Sequence, residues 1–363
     1  MKFLPLGFAF LLTAALTFLA VKVFPRWGLL DNPEKYGLKR KPIPYFGGVA
    51  VFLGFVISVL VFIPLSKEVI GLLTGVVLLA FVSFLDDKHG LPPLLRLATQ
   101  ILAAGMLVIA GVGISHITNP LGGVIDFTVW DFPIFIGLNE YHITLLADAF
   151  TVVWVILLTN SLNWFDGIPG LSSGIAGLAA LVLFFLAARE GYHYFDQTAV
   201  ITIAGILAGC AFGFTLFNFP PPRILLGDTG SMLFGFVLAA LAIFSGGKVA
   251  TAALVLGFPL LDAVTVIIRR LLQGKSPFHG DYSHLHHRLL AAGLSPRQTV
   301  IAIYLAAAAF GSVALFIETA FGKLVALIGL SFVMLTIGWR LRRYQLEKEI
   351  DGFAKKSRLV LES

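Results

Sequence analysis

Apolar runs of about 17–25 residues, the length a helix needs to cross a hydrocarbon core of about 30 Å, recur along almost the whole chain. They are read near 3–25, 46–64, 67–85, 93–113, 144–160, 170–188, 197–216, 231–246, 249–268, 298–317 and 319–339. About eleven spans follow, and the fold class is an all-α polytopic membrane protein. Composition agrees: 58% of residues are hydrophobic and only 13% charged, where soluble domains carry about 25% charged residues.

The formal net charge of +6 does not point to nucleic acid, because the basic residues sort by side instead of gathering into one patch. With the first helix running inward, one side collects Arg26, Lys35, Lys39, Arg40, Lys41, Lys88, Arg96, Arg223, Arg269, Arg270, Lys275, Arg288 and Arg297. The other holds little beyond Lys2, Lys67, Arg189, Lys248 and Lys323. Positively charged loops remain in the cytoplasm, so the N-terminus is placed outside and the C-terminus inside. Residues 1–340 form the membrane domain and the charged stretch 341–363 a cytoplasmic tail. The stretch 114–143 has no Lys or Arg and mixes Gly and Pro with β-branched and aromatic residues, which predicts an external loop with hairpin character. Preceded only by Lys2 and lacking a cleavage signal, the first apolar run is read as a retained helix. The single cysteine, Cys210, allows no intrachain disulfide.

Four polar motifs interrupt this apolar background, and the topology puts all four on the cytoplasmic side. Ionisable groups at membrane depth or at span ends are costly, which makes them functional candidates. Asp86 and Asp87 end a span, where a carboxylate opposes the helix dipole. Asn160, Asn163 and Asp166 share one helix face before a Gly-Ile-Pro-Gly break, a set suited to sugar hydroxyls or a metal ion. Asp228, in Gly227-Asp228-Thr229-Gly230-Ser231, follows a proline run that starts at Asn218-Phe219-Pro220 and opens the next helix. A carboxylate there suits Mg²⁺ bridging to phosphate oxygens, and the free N–H groups of the helix start suit a phosphate. His284, His286, His287 and Arg288 carry the donors that a pyrophosphate needs. Their spacing also admits a metal, but no cysteine or H-E-x-x-H partner supports zinc. Gly205, Gly209 and Gly213 are a small-residue ladder, read as helix packing.

The chain resembles the bacterial polyprenyl-phosphate N-acetylhexosamine-1-phosphate transferases. The resemblance rests on GLLDNPEKYGLKRKPIPYFGG at 28–48, FLDDKHGL at 84–91, NSLNWFDGIPGL at 160–171, NFPPPRILLGDTGSM at 218–232 and GKSPFHGDYSHLHHRL at 274–289. It implies a multi-pass enzyme of the cell inner membrane that moves a sugar-1-phosphate, GlcNAc-1-phosphate first, from a UDP-N-acetylhexosamine to undecaprenyl phosphate, releasing UMP. Mg²⁺ is the implied cofactor, with Mn²⁺ as a substitute, and the assembly is compatible with a homodimer in the lipid bilayer. By this resemblance Asp86, Asp87, Asp166 and Asp228 are catalytic, with Asp228 and Asp87 facing the metal and Asp86 the candidate base toward the lipid phosphate. Asn160, Asn163, Asn218, Arg96, His284, His286, His287 and Arg288 are expected to bind substrate. The His-Leu-His-His pattern favours the GlcNAc branch over the phospho-MurNAc-pentapeptide translocases, which carry three contiguous histidines. Pro169 stands where many relatives have a second aspartate, and Tyr282 where an arginine is common. An anionic-solute transporter is the reading from another class; it needs polar groups at the midplane of related broken-helix halves, whereas these lie at one face.

Overall fold

The computed structural model describes residues 2–36, 40–136, 139–189, 196–245, 249–274 and 284–361. Among them the chain forms thirteen α-helices: α1 (Leu4–Val23), α2 (Gly48–Phe62), α3 (Lys67–His89), α4 (Pro93–Ile109), α5 (Leu145–Trp164), α6 (Leu171–Ala187), α7 (Thr198–Asn218), α8 (Asp228–Phe244), α9 (Val249–Val255), α10 (Gly257–Leu272), α11 (Leu285–Ala291), α12 (Pro296–Phe316) and α13 (Ala320–Leu361). Six helices are long and apolar enough to cross a membrane, beginning at Leu4, Lys67, Leu145, Thr198, Pro296 and Ala320. Four shorter apolar helices, α2, α4, α6 and α8, lie among them. The protein is therefore a mostly helical, polytopic membrane protein.

Local signals set the helix ends. Ser66 accepts the Val69 N–H at the start of α3, and Gly90 closes that helix in the left-handed region. A complete capping box, Ser295 with Gln298, starts α12, and Pro296 stands in its first turn.

Hairpins appear in the stretch where the sequence predicts hairpin character, and one expected span is broken. The chain is not wholly α: β1 (His116–Thr118) pairs antiparallel with β2 (Val124–Asp126), and β3 (Asp131–Ile136) with β4 (Asn139–Thr144). Asn119, Gly122 and Gly123 turn the first hairpin, both glycines with positive φ. The single span read at 249–268 is split by Leu256 into α9 and α10. The tail expected from 341 continues α13 as helix to Leu361.

Every residue of α8 from Thr229 to Ile243 is buried, so this helix, apolar all round, is the centre of the bundle. It packs on α2, α3, α5 and α6. The glycine ladder of α7 meets α1: a Cβ on Gly213 would lie 2.5 Å from the Phe10 carbonyl oxygen, and one on Gly209 would strike that of Leu6. Packing alone accounts for it, because small residues let backbones approach closely. Outward faces of α1, α3, α12 and α13 expose Leu11, Phe81, Leu305 and Phe332, as helices solvated by lipid do. The polar motifs come together where α3, α5 and α7 end and α6 and α8 begin.

Candidate active site

Gly227 turns the chain into α8 with φ 76°, a conformation that suits glycine. A Cβ there would stand 2.8 Å from an Asp87 oxygen, so the position is also short of room. Asp87, arriving from the end of α3, caps α8 from outside. Its Oδ1 accepts the Asp228 N–H (2.9 Å) and the Tyr45 hydroxyl (3.0 Å), and its Oδ2 accepts the Thr229 N–H (3.2 Å) and hydroxyl (3.0 Å). Four donors fill a carboxylate. The negative charge at a helix N-terminus adds to the effect. Burial, and then the charges of Asp87, Asp228 and Asp166, push the Tyr45 phenol well above its ordinary value, so it stays a donor.

Asp228 leaves the first turn of this helix between two other groups. Its Oδ1 accepts from the Asn163 amide at 2.9 Å, and the same amide reaches the Ser231 hydroxyl at 3.0 Å. Its Oδ2 is 3.5 Å from Arg96 Nη1, which is also 3.2 Å from Asp86 Oδ2. Asp86 is buried and takes the Leu91 N–H on its other oxygen at 2.6 Å. One guanidinium thus ties together the ends of α3 and α8. Asp166, half-buried at the break after α5, faces the same cavity as Asp228. No hydrogen bond to its carboxylate is formed among the described residues. Three carboxylates, Asp87, Asp166 and Asp228, lie close enough to act on the same Tyr45 phenol. Such an excess of negative charge calls for a cation, and one or two carboxylates plus substrate phosphates are what Mg²⁺ takes. No set of three or more His, Cys, Asp or Glu among the described residues is placed to hold a metal by itself.

Two clefts open from this point. One, of ≈ 290 Å³, is bounded by Leu97, Val153, Ile156, Leu157 and Ile267 and reaches Arg96, Asn160 and Asn163. Its walls are apolar. The other, of ≈ 850 Å³, runs past Asp166, Asp228, the proline loop 220–222, Arg40 and Arg297. Asn163 and Trp164 line both.

The histidines pack behind the break at Gly167. His286 is fully buried between Phe165 (5.4 Å between ring centroids), His284 (5.7 Å) and His287 (4.2 Å), and a Cβ on Gly167 would strike its Nε2. Burial first, then the charges of His287 and His284, push its pKa down to about 2, so the ring is neutral. His284 pairs with Asp262 of α10 at 2.7 Å.

The model of glycosyl transferase family 4 matches residues 69–246. Over 312 residues, 77% of this chain and 73% of the relative, the chain is 33% identical to the decaprenyl-phosphate N-acetylglucosaminephosphotransferase of Mycobacterium tuberculosis. The chain belongs to the polyprenyl-phosphate N-acetylhexosamine-1-phosphate transferase family. Similar relatives include the undecaprenyl-phosphate alpha-N-acetylglucosaminyl 1-phosphate transferase of Salmonella typhi, 30% identical over 84% of this chain and 80% of that protein. The probable undecaprenyl-phosphate N-acetylglucosaminyl 1-phosphate transferase of Bacillus subtilis is 29% identical over 83% and 80%.

Within this transferase fold the expected residues divide. Asp86, Asp87, Arg96, Asn163 and Asp228 form one bonded cluster, with Asp166 facing Asp228's cavity. Asn160 lines the apolar cleft in a reciprocal amide pair with Gln100, at 2.7 and 3.2 Å. Asn218 is spent on the scaffold: it accepts the Gly170 N–H at 2.6 Å and donates to the Ile224 carbonyl at 2.8 Å. Arg288 points elsewhere, reaching the Gly338 carbonyl of α13 at 3.5 Å. Lys275, Asp281 and Tyr282 lie outside the described residues. Sequence reasoning missed Gln100 and Asp262, and it did not foresee that Tyr45 and Thr229 bond to Asp87. For Asp262 a signal existed, one acid in the apolar run of α10; for the others there was none beyond ordinary polarity.

Proposed function

We propose that the protein transfers GlcNAc-1-phosphate from UDP-GlcNAc to undecaprenyl phosphate, giving a polyprenyl-pyrophosphoryl sugar and UMP and so starting a cell-envelope polysaccharide or glycoconjugate. One observation carries the reading: an apolar cleft and a larger one that carries the charged side chains of Asp166, Asp228, Arg40 and Arg297 share Asn163 and Trp164 beside Asp228. A lipid phosphate and a sugar nucleotide need that pair of surfaces and one meeting point. The relatives' names, N-acetylglucosamine phosphotransferases acting on undecaprenyl or decaprenyl phosphate, support the same transferred group and acceptor.

In this reading the polyprenyl chain lies in the apolar cleft and its phosphate meets Arg96, whose position Asp86 fixes through a 3.2 Å contact. A phosphomonoester with a second pKa of about 6 is largely dianionic at neutral pH, so attack on the β-phosphorus needs no base, and Asp86 serves as the anchor of Arg96. Asn163 holds the Asp228 carboxylate in the first turn of α8, while Asp87 fixes that turn itself. Asp228 and Asp166 would hold Mg²⁺, or Mn²⁺ in its place; Asp87, with all four acceptor sites occupied, is better suited to order the helix. The cation supplies charge neutralisation between two anions and stabilises the leaving UMP. His287 stands beside the Gly167 break and His284 behind Trp164, on the side where the donor phosphates would pass.

The charge asymmetry supports eleven spans with the N-terminus outside, the active cluster at the cytoplasmic face of the inner membrane, and 341–363 as a cytoplasmic extension of α13. Competition decides the donor: purified protein with undecaprenyl phosphate should release UMP from UDP-GlcNAc, and turnover of UDP-MurNAc-pentapeptide alone would refute the assignment.

A further inference from the structure

Asp262 is the only acid in α10, surrounded by Leu260, Leu261, Ala263 and Val264. A buried carboxylate in such a run is costly unless it is paired. Its side chain is 7% exposed, and both oxygens are spent on the histidine motif. Oδ2 lies 2.7 Å from His284 Nδ1, and Oδ1 accepts the Leu285 N–H at 2.9 Å.

We propose that Asp262 is a positioning residue that fixes His284 in its Nδ1–H form and thereby presents Nε2 to the phosphates of the sugar nucleotide. The inference rests on the transferase reading above and adds to it a residue that touches no substrate. An ionised carboxylate only accepts hydrogen bonds, so the nitrogen facing it carries the proton. The ring cannot swing away: it lies 6.1 Å from Trp164 and is stacked on His286 at 5.7 Å and 11°. Trp164 lines both clefts, which puts His284 one ring behind their meeting point. Nε2 has no partner among the described residues. The second bond of Asp262, to Leu285 N–H, locks the backbone that carries the ring, so one carboxylate sets both the place and the tautomer of one imidazole. Partners of this kind orient histidines at metal sites, where losing one costs about 10–100-fold.

The test uses the full-length protein in detergent, labelled with nitrogen isotope in histidine, with the His284 signal identified by its loss in His284→Gln. In the wild type that signal should report Nδ1–H at neutral pH, and in Asp262→Asn it should move toward the Nε2–H form. An Nε2–H tautomer in the wild type overturns the proposal, whether or not any variant folds. Kinetics form the second arm. Asp262→Asn should lower kcat about 10–100-fold and leave the KM for UDP-GlcNAc nearly unchanged, with no further loss when combined with His284→Gln. Losses that multiply in the double variant mean that Asp262 acts structurally and refute the link. Absence of any sugar-phosphate transfer by the wild type would count against the transferase reading, while the tautomer result would still decide the role of Asp262.

Discussion

Replacing Asp87 by asparagine keeps the side chain's shape but removes its charge and turns one acceptor into a donor. Of the four groups bonded to it, the Tyr45 and Thr229 hydroxyls can rotate and accept; the Asp228 and Thr229 N–H groups cannot. Those two N–H groups sit on different oxygens, so whichever way the amide is flipped, one of them faces an NH₂. An orphaned buried donor costs about 1–3 kcal/mol, and the lost charge at the helix N-terminus a further ~0.3–1 kcal/mol. The first turn of α8 should therefore open more easily by about 1.5–4 kcal/mol, which at about 1.4 kcal/mol per tenfold is roughly a 10- to 1,000-fold loss of amide protection. Hydrogen exchange on a peptide covering 227–231 reads this directly, and transferase activity should fall with it because Asp228 rides on that turn. Unchanged exchange with lost activity refutes the capping argument, and recovery of activity at high Mg²⁺ would place Asp87 on the metal.

Three further outcomes follow from the same geometry. Arg96→Leu should raise the KM for the lipid phosphate roughly 10- to 150-fold, the loss of a charged hydrogen bond of about 1.5–3 kcal/mol, with little change for UDP-GlcNAc; steady-state kinetics with a short-chain polyprenyl phosphate checks it, and a rise confined to the donor KM contradicts it. His286, held neutral with its pKa pushed down to about 2, takes up a proton on unfolding below the ordinary imidazole value of about 6.5. Its contribution is complete above that value and is lost as pH falls, by up to about 1.4 kcal/mol per pH unit; thermal melts at decreasing pH should show this slope in the wild type and a shallower one in His286→Phe, and equal slopes would be the contrary result. In a Cys210→Ala background, cysteines at Leu121 and Leu272, which are 83% and 84% exposed, should react with an impermeant reagent from opposite sides of the membrane; labelling of both from outside intact cells would invalidate the topology.

Most of the helices and all four motifs were legible because lipid makes polarity conspicuous. A run such as 198–218 has few alternatives in a bilayer, and Asp86, Asp87, Asp166 and Asp228 stand out against it. Roles were harder to see. Asp87 looks like a metal ligand from sequence, but a carboxylate's function depends on which donors reach it, and here three of them come from the first turn of α8, 141 and 142 residues away. Asn218 reads as a binding residue beside a proline run; it lines the larger cleft and also ties that run to Gly170, a scaffold role the sequence does not show. The break at Leu256 carries no signal of its own: Pro259 lies three residues beyond it, in the first turn of α10, where proline is tolerated. Arg288 is adjacent to His287 in sequence, yet consecutive residues of α11 point about 100° apart, and Arg288 reaches the Gly338 carbonyl of α13.

Labelling the β-phosphate of UDP-GlcNAc tests the central claim most directly. With purified protein, undecaprenyl phosphate and Mg²⁺, the label should pass into the lipid fraction together with the sugar and leave unlabelled UMP in water, and Asp228→Asn should abolish the transfer while retaining the fold. Label remaining in soluble UDP while the sugar alone moves to lipid would mean that the bond broken is the glycosidic one, and the two clefts would not be meeting at a phosphoryl-transfer site.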